Sequence, residues 1–339
     1  MTTMTADEKA ENRVLGDLPE WDLRDLYPAT DSPELSADLE RAAKEANGFS
    51  DRFKGKLASL DGDALGAAIA EYEAIDEIMG RVMSFAQLVY AGNVSDPAIG
   101  RFYQTMQERV NDISADLLFF MLELNEIDDG VVEKQLDGAA GKYAPWLHDV
   151  RAFRPHQLSE EIERLLHDKR VAGRSAWNRL FDETMADMRF DYDGRKLTSE
   201  EVMNMLSNPD EGIRKAAAKT LGAELGRHAR TFSLITNTLA KDKEIEDKWR
   251  KFPRPESSRN LANRVEDEVV DALNEAVQAS YLSLSHRYYA MKAGWFGKET
   301  LDHWDRNAPL PQSDNRVIPW PEATDTVLTA YRDFSPELA

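Results

Sequence analysis

No cysteine occurs among the 339 residues, which removes disulfides, thiolate nucleophiles and thiolate metal sites together and fits a reducing compartment. Any metal ligand must then be a histidine or a carboxylate. Long apolar runs are missing as well: no stretch approaches the roughly 20 residues that a membrane-crossing helix needs, and the polar opening from Met1 to Asp17 has no apolar segment of the secretory kind. Positive charge is the third deficit. Lys and Arg number 42 against 62 Asp and Glu, a formal net charge of -20. Such a surplus repels phosphate backbones and is a poor match to anionic lipid. The expectation is a soluble, cytoplasmic chain with neither nucleic acid nor membrane as partner, and its length calls for at least two packed regions.

Several catalytic signatures are also absent. A zincin helix needs two histidines four residues apart, so that both rings meet one metal, and a glutamate beside the first to activate the bound water. None of His148, His156, His167, His228, His286 and His303 stands in that pattern, nor in its inverted form. There is no Gly-x-Ser-x-Gly elbow, and Gly138, Gly141, Gly294 and Gly297 lack the spacing and strand-to-helix setting of a phosphate loop. Glutamate does precede histidine by four residues in Glu163/His167, Glu224/His228 and Glu299/His303. On a helix each pair shares a face, but no third ligand lies near in sequence, and an exposed carboxylate–imidazole pair accounts for the spacing. The acidic groups Glu160, Glu161, Glu163 and Glu266, Asp267, Glu268 fall in first turns of predicted helices, where the macrodipole favours negative charge.

Helical periodicity fills most of the rest. Ser32 with Pro33 opens a helix whose apolar face carries Leu35, Leu39, Ala42 and Ala46, with Gly48 as its stop. A longer one runs from about Asp63 to Gly92, and a third, about seven turns long, from Asp96-Pro97 to Phe120; the three should pack as an antiparallel bundle. A turn-rich stretch from Asp128 to Gly141 precedes helices near 144–153, 159–171 and 175–186. Phe190 and Tyr192 then alternate with polar residues before Asp193-Gly194, a favoured two-residue hairpin turn, so an isolated β-hairpin is expected near 188–198. Thr198 and Glu201 form a capping box. Two helices follow at about 209–225 and 229–249, then an apolar stripe from Val265 through Leu273, Tyr281 and Tyr288 to Met291. Tyr281, Tyr288 and Tyr289 are either core residues or the lining of a groove. The segment from Asp302 to Trp320 is Pro-rich and expected to be extended, with a last helix opening at Pro321.

Several of these stretches, in this order, carry a family resemblance. Trp21 to Tyr27, Phe53 to Leu57, Glu160 to Glu183, Arg287 to Ala293, Leu301 to Pro311 and Phe334 to Ala339 resemble successive landmarks of the N-terminal and middle portion of oligoendopeptidase F, a family of zinc metallopeptidases in the thimet-type oligopeptidase superfamily. Arg214, Asp242-Lys243, Pro253 and Arg259-Asn260 fall at further recurring positions. The resemblance implies a mainly α fold: a multi-helix N-terminal domain, then the first, helical part of a zincin-type peptidase domain, with the one hairpin near 188–198. It divides the chain into a disordered 1–17, a helical bundle at 18–127, a second helical segment at 142–187 and an incomplete peptidase portion at 188–339.

The implied activity is hydrolysis of internal bonds in short peptides, with zinc in the complete enzyme and none bound by this chain. The family's zinc helix and oxyanion-stabilising residues match no position here, so no catalytic or metal residue is carried over. The chain alone is expected to be inactive and to need a C-terminal catalytic segment as partner. A non-catalytic helical binding or scaffold protein derived from the fold is the alternative. Within Leu261 to Pro311, the candidate cleft-lining residues are Tyr288, Tyr289, Trp304, Arg306 and Asn307.

Overall fold

A computed structural model describes residue 16 and residues 18–311 and 316–339. The expectation of a disordered 1–17 therefore falls, Gly16 excepted, outside the described residues, as does part of the expected extended stretch, 312–315. Two compact units are present, residues 23–308 forming one and the described residues within 1–22 and 309–339 the other. Among the described residues the fold is mainly α with one two-stranded antiparallel sheet.

In the larger unit, helix α1 (Pro33–Phe53) starts where Ser32 Oγ accepts from the Leu35 amide. Helix α2 (Gly62–Gly92) is capped by Asp61 and α3 (Pro97–Ala115) by Asp96, each carboxylate accepting a first-turn N–H. The third helix is shorter than its stripe predicts. Its backbone breaks at Asp116–Leu117 and resumes as α4 (Leu118–Glu126), which turns Phe119, Phe120 and Leu124 inward. The predicted turn-rich stretch contains a helix of its own, α5 (Asp129–Gln135), with its cap on Asp128.

One apolar core joins these elements, running from Tyr27 to Val150 and centred on Phe49, Phe120, Leu65 and Ile69. Phe49 meets Phe120 edge-on at 5.1 Å, and Tyr72 stacks on Phe120 at 4.9 Å. The start of α2 lies directly against the chain after α5. A Cβ at Gly62 would stand 2.2 Å from the Gln135 carbonyl oxygen, so only glycine permits this approach. Gln135 itself is buried and donates to the carbonyls of Leu57 and Leu60, both at 2.9 Å.

Helices α6 (Ala144–Arg151), α7 (Glu160–Lys169) and α8 (Arg174–Asp187) follow, within a few residues of the predicted spans. The hairpin forms as expected: β1 (Phe190–Tyr192) pairs with β2 (Arg195–Leu197), Phe190 opposite Leu197. Asp193 and Gly194 both take positive φ, 48° and 76°, as this turn requires. Thr198 and Glu201 close the capping box of α9 (Ser199–Asn204). A second apolar core, Met188, Phe190, Leu197, Val202 and Ala217, gathers here.

One departure from the sequence reading is large. The two helices expected at 209–225 and 229–249 are a single 40-residue helix, α10 (Glu211–Arg250), about 60 Å long at 1.5 Å per residue. Gly226 does not break it, because an interior glycine costs only about 1 kcal/mol and no proline or capping residue follows. Glu224 also pairs with Arg227 across the suspected junction. Lys251 ends the helix in the left-handed region, φ 61°. After α11 (Ser257–Ala262), the long stripe divides into α12 (Asp267–Ser280) and α13 (Arg287–Trp295). Between them lies a π segment, Leu282–His286, where the His286 amide reaches back to the Tyr281 carbonyl at 2.9 Å.

In the smaller unit, Pro319 precedes helix α14 (Trp320–Phe334), and Arg316 pairs with Glu322 at 3.3 Å. No helix among the described residues is long and apolar enough to cross a membrane.

Candidate functional site

The larger unit contains a roomy concavity, a cleft of about 1460 Å³. One wall comes from α4, α6, the turn after it and the facing ends of α7 and α8; the other comes from the last turns of α10, from α11 and from the approach to α12. The joint between the walls is Arg250, whose position as the last residue of a long helix brings it to the turn ahead of α7. Its Nη1 and Nη2 donate to the two carboxylate oxygens of Glu163 at 2.6 and 2.9 Å, and its Nε donates to Glu246 at 2.7 Å. Such a planar two-pronged contact fixes orientation as well as distance. Burial pushes the Glu163 carboxyl upward, but the Arg250 bonds and the Leu158 amide outweigh it and hold the group below the usual carboxylate range.

His156 reinforces the same joint. Its Nδ1 donates to the Arg250 carbonyl oxygen at 2.8 Å, and its ring stacks on Phe252 at 3.8 Å. Also in the lining, Asn125 donates from Nδ2 to Gln157 Oε1 at 2.8 Å, and Gln157 Nε2 donates to the Leu122 carbonyl at 3.2 Å. Asn125 is only 6 % exposed, yet its Oδ1 accepts no hydrogen bond among the described residues. The remaining charges of the lining divide into held and unheld groups. Arg264 pairs with Asp149, and Lys243 with Asp247. Arg170, Arg174 and Arg259 have no side-chain partner among the described residues, nor have Asp242 and Glu266.

The candidate residues from sequence lie elsewhere. Tyr288 and Tyr289 are both exposed on α13 and meet edge-on at 5.5 Å. Trp304 directs Nε1 toward Glu211 at 3.5 Å beneath the Lys215 ammonium. Arg306 and Asn307 are exposed, and Arg306 uses its carbonyl to accept from the buried Lys292 Nζ at 2.8 Å. None of the five lines the large cleft; from the segment 261–311 its lining draws only on Leu261, Ala262, Arg264, Val265 and Glu266. Tyr281 instead borders a separate shallow groove of about 360 Å³ on α12, with Val277 and Leu284.

The glutamate–histidine pairs also separate. His167 contacts Ser114 Oγ at 3.0 Å and the Asn111 carbonyl at 2.9 Å, while its sequence partner Glu163 is taken by Arg250. Only Glu224 and His228 stay together, at 3.6 Å. Glu299 precedes the short helical turn that holds His303, so no common helix face exists.

Among the described residues, one group has the spacing of a metal site: Glu211, Asp302 and Asp305. It does not fit zinc, which favours histidine or thiolate donors. Its centre is already held by Lys298, whose Nζ donates to Glu211 at 2.6 Å, Asp302 at 3.2 Å and Asp305 at 2.6 Å. Those bonds raise the Lys298 ammonium well above its ordinary value, so the cation that the carboxylates need is part of the chain.

Known proteins resemble this chain in sequence and fold. The family model described as Oligopeptidase F matches residues 123–190, which span Asn125, Glu163, Arg170 and Arg174 on one wall of the cleft. The oligopeptidase PepF of Bacillus subtilis (strain 168) is 24% identical over 335 residues, covering 94% of this chain. The chain is related to oligoendopeptidase F. The oligoendopeptidase F homolog of Lactococcus lactis subsp. lactis (strain IL1403) is also 24% identical, over 87% of the chain. The crystal structure of oligoendopeptidase-F from Enterococcus faecium superposes with a TM-score of 0.75 at 19% identity, over 90% of this chain and 62% of that one. The chain spans 48% and 50% of the two sequence relatives, about half of an oligoendopeptidase F.

Arg250, Asn125 and the unpaired arginines escape a reading of the sequence. Nothing local distinguishes these arginines among 42 basic residues, and nothing marks Asn125 in its helix. Only the unbroken length of α10 brings Arg250 to Glu163, which is 87 residues away in sequence.

Proposed function

We propose that this chain is the leading portion of a zinc-dependent oligoendopeptidase that hydrolyses internal bonds of short peptides, and that the large cleft is part of its peptide channel. The observation that carries the reading is the coincidence of two facts: the residues matching Oligopeptidase F supply one wall of the cleft, and at about 1460 Å³ the cleft is larger than the usual 300–1,000 Å³ of a small-molecule pocket. Zinc would be held by residues outside this chain, since its histidines lie in no ligand arrangement and its carboxylate cluster is occupied by Lys298. The chain by itself would then bind peptides without cutting them. A cytoplasmic setting fits the absence of cysteine.

A row of exposed apolar side chains supports the need for a further segment. Val269, Leu273 and Val277 on α12, with Leu282 and Leu284 in the π segment, are between 46 and 78 % exposed. Contiguous apolar surface of this kind marks a contact face. The alternative, a binding protein that kept the fold without catalysis, draws on the same face. Joining the zinc-carrying remainder of a relative to this chain, in cis or in trans, decides between them: zinc-dependent cleavage of a quenched fluorescent peptide supports the peptidase, and a folded, zinc-loaded assembly without turnover leaves the binding protein. Reading the coding DNA beyond Ala339 provides an independent check.

A further inference from the structure

We propose that the arm formed by α12 and the π segment docks a single helix, apolar on one face and rimmed by lysine or arginine, contributed by the zinc-carrying remainder of the enzyme; this rests on reading the chain as the leading portion of a peptidase. The arm is attached along one side. Asp267 accepts from Ser257 Oγ at 2.6 Å and from Asn260 Nδ2 at 2.7 Å, and the two oxygens of Asp271 accept from Nη1 and Nη2 of Arg254 at 2.8 Å. At about 100° per residue, those aspartates stand opposite Val269, Leu273 and Ala276. The anchors therefore turn the apolar side of α12 away from the residues that hold it, and every residue from Ala272 to Ala279 is exposed.

Two rows lie side by side on that face. Val269, Leu273, Ala276 and Ser280 form one, and Val270, Val277 and Tyr281 form the other. Leu282 and Leu284, 78 and 66 % exposed, carry the apolar surface into the π segment. The shallow groove of about 360 Å³ bordered by Ala276, Val277, Ser280, Tyr281, Leu284 and Ser285 lies in the same surface. Small side chains set between large ones offer a second helix a place for its own apolar residues, recognised at three- and four-residue spacing.

The rim names the partner's charge. Glu268 and Glu275 share the neighbouring row with Ala272 and Ala279, and Glu266 stands at the head of the face. None of the three glutamates has an ion pair among the described residues, and no lysine or arginine occurs between Arg264 and Arg287. A second copy on this face would set glutamate against glutamate, which disfavours a homodimer, whereas a helix flanked by lysine or arginine brings complementary charge.

Fluorescence anisotropy of the full chain with labelled helical peptides tests this. Two designed probes share one leucine–alanine face and differ in their rims, lysine or glutamate. The lysine-rimmed helix should bind about tenfold tighter at low salt, and the gap should narrow as salt is added. Glu268→Gln with Glu275→Gln should shrink the preference, and Glu268→Lys with Glu275→Lys should reverse it. Leu273→Asp with Val277→Asp should abolish binding of the lysine-rimmed helix even though it adds negative charge, which separates docking from attraction to an acidic surface. Peptides tiled through the half of the Bacillus subtilis relative that this chain does not span identify the source. Binding confined to a basic-rimmed tile, and lost in the Leu273→Asp, Val277→Asp variant, supports the proposal; silence of every tile overturns the assignment to the enzyme's remainder. Equal binding of the two designed rims, or binding that survives the aspartates, overturns the docking site. Self-association of the chain that the aspartates abolish overturns it too and assigns the face to a second copy. The peptidase reading stands or falls separately, on turnover by the joined, zinc-loaded enzyme.

Discussion

Arg214 and Asp305, 91 residues apart, form an ion pair sealed from solvent: Nη2 donates to Oδ1 at 2.6 Å, and the two side chains are 1 % and 0 % exposed. The pair fastens the segment after α13 to the first turn of α10. Arg214 Nη1 also donates to the Asn208 and Pro209 carbonyls at 2.8 Å, and Lys298 supplies a second bond to Asp305. Burial pushes the Asp305 carboxyl up, but Arg214 and Lys298 prevail and hold it below the usual range. Removing one partner leaves the other charged and unpaired. Asp305→Ala is expected to destabilise the larger unit by about 3–5 kcal/mol, read as a lowered urea midpoint. The double change Arg214→Met with Asp305→Leu should recover most of that loss; a double variant as unstable as the single one would contradict the account.

Glu163 and Arg250 make a similar connection at the cleft, and there the sign of the pH dependence follows from the direction of the shift. The Glu163 carboxyl is more acidic in the folded chain than in the unfolded one. Its contribution is therefore complete above the ordinary glutamate value of about 4.3 and disappears as the pH falls through the lowered native value. Glu163→Gln should cost about 1.5–3 kcal/mol at neutral pH, the size of a charge-assisted contact, and the difference from wild type should narrow under acid. A double-mutant cycle with Arg250→Met, followed by urea denaturation at pH 7 and again in acid, measures the coupling directly. Coupling that did not change with pH would rule out ionisation of Glu163 as its origin.

These two pairs also mark where sequence stops being informative. Caps, turns and apolar stripes are local, so Ser32, Asp193-Gly194 and Thr198/Glu201 declare their roles in a few neighbouring residues, and the structure places each accordingly. The continuity of α10 is less legible because Gly226 looks like a stop until its tertiary setting is known. Arg250 and Asn125 are invisible for a different reason, and Arg214, marked only by the family resemblance, shows nothing in sequence of its contact with Asp305. Their partners lie tens of residues away, and their spacing in sequence has no periodic signature. Tyr288 and Tyr289 were legible as a helical pair but not as an exposed one, since periodicity reports that a face is apolar and not what covers it.

Lys251 offers a stability test that leaves every side-chain contact intact. It ends α10 at φ 61° and ψ 36°, a conformation in which a Cβ crowds the backbone and for which glycine is the usual choice. The side chain is exposed and forms no ion pair among the described residues. Lys251→Gly is thus expected to stabilise the chain by about 0.5–1 kcal/mol, the relief of strain exceeding the added freedom of the unfolded chain. Lys251→Val, β-branched at the same angle, should move the thermal midpoint the other way. If both substitutions lowered it, strain at this cap would not be the controlling factor.

Tyr90 sets the alkaline behaviour. Its hydroxyl is buried on α2 without a hydrogen-bond partner among the described residues, and its ring stacks on Tyr103 at 4.6 Å. Burial first, and then the negative field of Glu183 and Asp182, push its ionisation up to about 12 from 10.0, because a phenolate there would be neither hydrated nor paired. For an acid whose folded value is raised, the neutral form favours the native state below the unfolded value, and that contribution is lost as the pH climbs from about 10 toward 12. Tyr72, also pushed up to about 12 by burial, behaves alike. Tyr90→Phe keeps the stack and removes the orphan hydroxyl. It should raise stability by about 1 kcal/mol at neutral pH and delay unfolding between pH 10 and 12, followed by far-ultraviolet circular dichroism. A less stable variant at pH 7 would mean that the hydroxyl has a hydrogen-bonding role the buried geometry does not supply.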